Sequence, residues 1–136
     1  MNAIILCGGM STRLGDITKD IPKVLLDIQG RSVLALQLEK IKRLGIKTAV
    51  LAAGHLSSVL QREVGPEHNG VHIRYAVEPE RLGTGGAIKF AWQFVDDTNE
   101  PVIVFNGDVL TTADTLDMRR HLRPESHGII LGSRVD

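Results

Sequence analysis

Ala3-Ile4-Ile5-Leu6 runs directly into Cys7-Gly8-Gly9-Met10-Ser11-Thr12-Arg13-Leu14, and Ile21-Pro22-Lys23 follows shortly after. Four consecutive apolar residues that end at glycine read as a short buried strand. The strand empties into a glycine loop, where backbone N–H groups can approach an anion because no Cβ stands in the way. Two cations, Arg13 and Lys23, come just behind the loop, placed to neutralise phosphate oxygens. The start of the chain reads as the phosphate-handling end of an α/β fold.

Outward from that strand, helical and extended patterns alternate. Residues 32–44 read as a helix with Leu34, Leu38 and Ile41 on one face and Gly45 as its stop. Residues 47–53 read as a strand, 57–63 as a short helix, and 71–77 as an alternating strand near a sheet edge. A helix over 87–95 is launched from Gly83-Thr84-Gly85-Gly86, and 101–105 form a strongly apolar strand. Thr112 is expected to cap a helix over 113–122, with Asp114 in its first turn, and 128–132 to form a fifth strand. The expected fold class is α/β: a three-layer, Rossmann-like, mainly parallel sheet with helices on both faces. Ligands of such sheets bind beyond the carboxyl ends of the strands, near the switch in strand order. Three segments then converge on one site: 7–13, 78–86 and 106–108.

Bulk composition narrows the function. A chain of 136 residues is one domain and can bury a core without disulfide or structural metal. Sixteen basic against sixteen acidic side chains give no basic excess, which argues against a nucleic-acid or membrane-surface partner. Aromatics make up 4%, too few for a base-stacking platform. The single cysteine, Cys7, excludes an internal disulfide and fits a reducing, cytoplasmic setting. No segment approaches the roughly 20 apolar residues that span a bilayer. His55, His68, His72, His121 and His127 show no metal or triad spacing, and Cys7 reads as a small space-filling residue.

Neither common nucleotide fingerprint applies. The first loop lacks G-x-x-x-x-G-K-[ST], and neither glycine loop completes G-x-G-x-x-G. Instead, Gly8-Gly9-x-Ser11-Thr12-Arg13-Leu14 followed by Pro22-Lys23 resembles the G-G-x-G-T-R-L…P-K signature of sugar-1-phosphate nucleotidyltransferases. Residues 78–87 (Glu-Pro-Glu-Arg-Leu-Gly-Thr-Gly-Gly-Ala) resemble that family's nucleotide-binding segment. Val104-Phe105-Asn106-Gly107-Asp108 resembles its metal-binding strand end. The three motifs occur in the family's order, and the resemblance covers essentially the whole chain.

The resemblance implies that a sugar 1-phosphate oxygen attacks the α-phosphorus of a nucleoside triphosphate, giving a nucleoside-diphosphate sugar and pyrophosphate. Catalysis of this kind is mostly positioning and charge neutralisation. Arg13, Lys23 and Asp108 are the implied catalytic residues, with Asp108 also the ligand of Mg²⁺. Leu6, Cys7, Gly8, Gly9, Ser11, Thr12, Glu78, Gly83 and Thr84 are the implied nucleotide-binding residues. Glu78 hints at the base: a carboxylate only accepts, and guanine offers adjacent N1–H and N2–H donors, so GTP is favoured over UTP or dTTP. Residues 82–89 look like the branch that handles heptose or mannose 1-phosphates. The expected partners are a nucleoside triphosphate and a sugar 1-phosphate; an oligomer is compatible with both. A UTP- or dTTP-dependent enzyme and a non-catalytic nucleotide-binding regulator or inactive fragment are the alternatives.

Departures from the pattern are few. Ser11 stands where the signature has glycine, and Asp16 where many members have proline. The family fold continues well beyond the final segment, 133–136, into a portion that supplies much of the sugar pocket, a lysine for the sugar phosphate and a second metal carboxylate. The 136 residues accordingly resemble the nucleotide-binding portion of a nucleotidyltransferase domain.

Overall fold

The computed structural model describes residues 1–9 and 19–132, except for the side chain of Leu116. Its main sheet has five strands in the order β5-β6-β4-β1-β7. These are β1 (Asn2–Leu6), β4 (Thr48–Ala53), β6 (Val71–Val77) and β7 (Val102–Asn106), all mutually parallel, and the two-residue β5 (Glu67–His68), which is antiparallel. A small hairpin of β2 (Asp27–Ile28) and β3 (Arg31–Ser32) lies outside this sheet. The register couples Ala3 to Ala49 and to Ile103, so β1 lies inside the sheet, between β4 and β7.

Alternation along the strands sends side chains to two cores, one on each face. Ala3, Ile5, Ala49, Leu51 and Ile73 pack with Leu34, Leu38 and Ile41 of α1 (Val33–Arg43) and Leu60 of α2 (Ser57–Val64). Ile4, Val50, Ala52 and Ala76 face the other way, onto Ala87 and Ala91 of α3 (Gly83–Trp92). This is the three-layer, mainly parallel sheet that the sequence pattern implies. Leu34, Leu38 and Ile41 are essentially inaccessible, and Ser32 caps α1 by accepting from the Ala35 N–H at 3.1 Å.

Three local readings need correction. Residues 128–132 form no strand: Ile130 is 92% exposed, and among the described residues nothing pairs with this segment. Apolar content nominates a strand, but a ladder partner has to make one. The last helix is the shorter α4 (Thr115–Arg120), and Thr112 does not cap it. Asp114 Oδ1 instead accepts from the Asp117 N–H at 3.2 Å, placing Asp114 before the first turn. Finally, α3 starts at Gly83 itself, whose φ of +70° favours glycine, so the glycine run is the helix's first turn and not a loop ahead of it.

Burial of Cys7 gives a pH prediction. Desolvation pushes its thiol from the usual 9 up to about 12. Burial also raises Tyr75, whose hydroxyl donates to the Gly65 carbonyl at 2.6 Å. Both groups hold their protons longer in the folded chain than in the unfolded one. Stability is therefore intact below about pH 9 and falls as pH climbs towards about 12. The expected slope from Cys7 is ~1.4 kcal/mol per pH unit in that window. Urea melts at pH 8, 9.5 and 10.5 check it, and Cys7→Ala is expected to flatten most of the slope.

Candidate functional site

The order β6-β4-β1-β7 places the switch in strand order between β1 and β7. The chain builds outward from β1 through β4 to β6, then returns to the opposite side of β1. An open cleft lies at the carboxyl ends of these strands. Its walls include Leu6, Cys7, Gly8 and Gly9 after β1, Glu78 after β6, Gly83 and Thr84 at the start of α3, and Asn106, Gly107 and Asp108 after β7. Lys23 closes one side, from a single 3₁₀ turn (Lys23–Leu25) that begins after Pro22.

Backbone contacts hold the strand ends together. The Cys7 N–H donates to the Ala52 carbonyl at 2.8 Å, the Glu78 N–H to the Ala53 carbonyl at 2.8 Å, and the Gly107 N–H to the Leu6 carbonyl at 3.0 Å. Gly107 is required by proximity. A Cβ there would overlap the Leu6 carbonyl oxygen and lie 2.7 Å from Val24 Cγ1. Gly8 is nearly as confined, since a Cβ would sit 3.2 Å from Glu78 Oε1 and 3.3 Å from the Gly54 nitrogen.

Of the residues singled out in the sequence, Leu6, Cys7, Gly8, Gly9, Lys23, Glu78, Gly83, Thr84 and Asp108 all line this one cleft. Ser11, Thr12 and Arg13 lie outside the described residues. Glu78 sits between the first and second segments: its Oε2 accepts from the Leu82 N–H at 3.2 Å, while Oε1 faces Gly8. Lys23 and Asp108 meet each other. Lys23 Nζ is 2.7 Å from Asp108 Oδ2, with the two side chains 40% and 45% exposed. An ion pair this exposed contributes about 0–1 kcal/mol, so exchanging it for other partners costs little.

Among the described residues, no three His, Cys, Asp or Glu side chains cluster as a cage for a metal ion. The cleft offers instead two separate carboxylates, Glu78 and the half-exposed Asp108, the latter with Lys23 already against it. That donor set suits a hard cation carried in by an anionic ligand better than one held by protein alone. The Cys7 thiol, with its raised pKa, is no nucleophile at neutral pH.

Two groups at this site were not anticipated. Arg81 lines the cleft, and its signal was present in the sequence: a cation inside a segment already expected to bind nucleotide. Gln37 reaches the Asn106 and Val109 carbonyls at 2.8 Å from the buried face of α1. Its signal was a polar residue within the apolar stripe Leu34, Leu38, Ile41.

Comparison with known proteins identifies the family. A family model described as nucleotidyl transferase matches residues 2–135. A D-glycero-alpha-D-manno-heptose 1-phosphate guanylyltransferase of Campylobacter jejuni is 44% identical over 84% of this chain and 50% of its own length. Mannose-1-phosphate guanyltransferase beta-B of Xenopus laevis is 32% identical over all of this chain and 39% of its own. The crystal structure of HddC from Yersinia pseudotuberculosis complexed with GMP-PN superposes with a TM-score of 0.77 at 30% identity, covering 88% of this chain and 53% of that one. The chain thus spans about half the length, or less, of the relatives it matches.

Proposed function

The chain belongs to the nucleotidyl transferase family, and from that premise we propose that it is the nucleotide-binding portion of a Mg²⁺-dependent sugar-1-phosphate guanylyltransferase. The single observation that carries the proposal is the convergence of three distant segments, with Lys23, on one cleft at the switch in strand order. The names of the relatives direct it to the guanylyltransferase branch acting on heptose or mannose 1-phosphates.

The roles proposed combine the lining of the cleft with the resemblance of the three motifs. The backbone after β1 and the first turn of α3 are the surfaces along which a nucleotide lies, and helix N-termini favour anions. Glu78 accepts hydrogen bonds from the base edge, which selects guanine. Lys23 turns from Asp108 to the phosphates as a point charge. Arg13, immediately beyond the glycine loop, stabilises the departing pyrophosphate. Asp108 would be this chain's ligand for Mg²⁺. When bound, the metal supplies charge neutralisation at the phosphates. A sugar-phosphate oxygen then forms a bond to the α-phosphorus as the bond to pyrophosphate breaks, and no enzyme-bound intermediate is needed.

Pyrophosphate release across GTP, UTP, dTTP and CTP, with mannose or heptose 1-phosphates and Mg²⁺, tests the reading in a chain of the relatives' length. The expected result is a GTP preference that Glu78→Gln weakens by about 10-fold, the scale of a buried hydrogen-bond mismatch. A clear preference for UTP or dTTP in the unaltered protein overturns the guanine assignment. Direct calorimetry of GTP and Mg²⁺ on the 136-residue chain reads the binding half separately.

A further inference from the structure

Gln37 is a polar side chain only 3% exposed, set among the apolar residues of α1 that face the sheet. Burying an amide costs free energy where its polar atoms go unpartnered, as Oε1 does here, so the case for Gln37 rests on whether its two donors are satisfied. Both are: Nε2 donates to the Asn106 carbonyl and to the Val109 carbonyl, each at 2.8 Å. The opposite amide orientation would aim Oε1 at two carbonyl oxygens, so the contacts themselves fix which end faces the turn. Those carbonyls bracket Gly107-Asp108, in a turn closed by the Val109 N–H donating to the Asn106 carbonyl at 3.1 Å. One helical turn further on, Lys40 Nζ donates to the carbonyls of Thr111 and Ala113, each at 2.8 Å. One face of α1 therefore grips four carbonyls of a segment 69 to 73 residues later in the chain.

A leucine at position 37 would continue the apolar stripe without burying an amide. An amide there instead donates to the carbonyls on either side of the turn that follows β7. We propose that Gln37 is a positioning residue: its buried amide fixes the turn after β7 so that the Asp108 carboxylate is held where a divalent cation on the nucleotide phosphates meets it. The inference rests on the reading of Asp108 as the metal ligand. It predicts a selective effect, since the group assigned to the base, Glu78, lies after β6, on a different strand end from the gripped turn.

Gln37→Met keeps the volume and removes the donors. Three readouts on the whole chain separate positioning from general stabilisation: amide hydrogen exchange at Gly107 and Val109, calorimetry of metal-free GTP, and electron paramagnetic resonance of Mn²⁺ bound with GTP. Exchange at the two amides is expected to quicken by about 10-fold or more as the turn loosens. Affinity for Mn²⁺ in the GTP complex is expected to fall about 10- to 100-fold, the scale for losing a group that orients a metal ligand, with metal-free GTP affinity within about threefold of the original. Asp108→Asn run alongside separates the two claims. If it weakens Mn²⁺ binding and a folded Gln37→Met does not, the inference is overturned and the metal reading stands. If Asp108→Asn leaves Mn²⁺ binding unchanged, the metal reading fails and the inference with it. Should the methionine variant not fold, Gln37→Asn, with its amide one methylene short, carries the same test. An equal loss of metal-bound and metal-free binding in either variant means a fold-wide role and overturns the proposal.

Discussion

Asp108→Asn is expected to lower the affinity for GTP in the presence of Mg²⁺ by about 100-fold, on the order of 3 kcal/mol, because it removes the charge that a metal ligand supplies. The shape of the side chain is nearly unchanged, so the fold should persist. Metal-free GTP should respond in the opposite sense. In the structure Lys23 is committed to Asp108 at 2.7 Å. Neutralising Asp108 releases that ammonium for the phosphates, so metal-free binding should rise by a few-fold, the scale of an exposed ion pair. Lys23→Met removes a phosphate cation outright and should weaken both modes. Calorimetric titrations of the three proteins, with Mg²⁺ and with a chelator, give six affinities. If Asp108→Asn weakens both modes alike, Asp108 serves the fold and not the metal.

Gly107→Ala should produce the second large effect, on stability. The ends of β1 and β7 are drawn together by the Gly107 N–H bond to the Leu6 carbonyl at 3.0 Å. A methyl group at this position collides with that same carbonyl oxygen and with Val24 Cγ1. Neither obstacle is a flexible side-chain tip: one is backbone of the interior strand β1, the other a branched residue that is 3% exposed. Overpacking of this kind costs about 1–3 kcal/mol, which for a chain of this size lowers the melting midpoint by roughly 10 °C. Strain relieved by moving the strand ends apart also displaces Asp108, so metal-assisted binding should weaken along with stability. Gly9→Ala is the matched control, because a Cβ there meets nothing within 4 Å. Thermal melts of the two variants compare the positions directly, and a Gly107→Ala midpoint equal to that of Gly9→Ala refutes the crowding argument.

Much of this was legible in the chain. The apolar run Ala3 to Leu6, the stripe Leu34, Leu38 and Ile41, and the alternation over 71–77 each carry their secondary structure in local periodicity, and the structure keeps all three. The parallel sheet follows from strands that are apolar on both faces, as the fully buried β4 illustrates. The rule for where such sheets bind ligands then places the three glycine- and charge-rich segments at one cleft. The failures were equally local in origin. Gly83 and Gly86 look like loop residues by composition, yet the helix begins there because the downstream alanines Ala87 and Ala91 bury against the sheet. Ile129, Ile130 and Leu131 look like a strand, and their exposure shows that apolar side chains without a neighbouring ladder do not form one.

By itself, the sequence determined the fold class and which segments surround the cleft, because hydrophobic period and glycine placement are properties of neighbouring residues. Only the tertiary structure decided how the polar groups use that cleft. Lys23 and Asp108, separated by 85 residues, could each have been read as facing a ligand, and folding pairs them instead. Gln37 reads as a blemish in an apolar stripe until the turn after β7 brings two carbonyls to 2.8 Å from its amide. Gly107 reads as a turn residue until the close approach of β1 excludes a Cβ. In all three cases the deciding partner is distant in sequence. A hydrogen bond, an ion pair or a steric contact exists only between groups that folding has brought within a few ångströms.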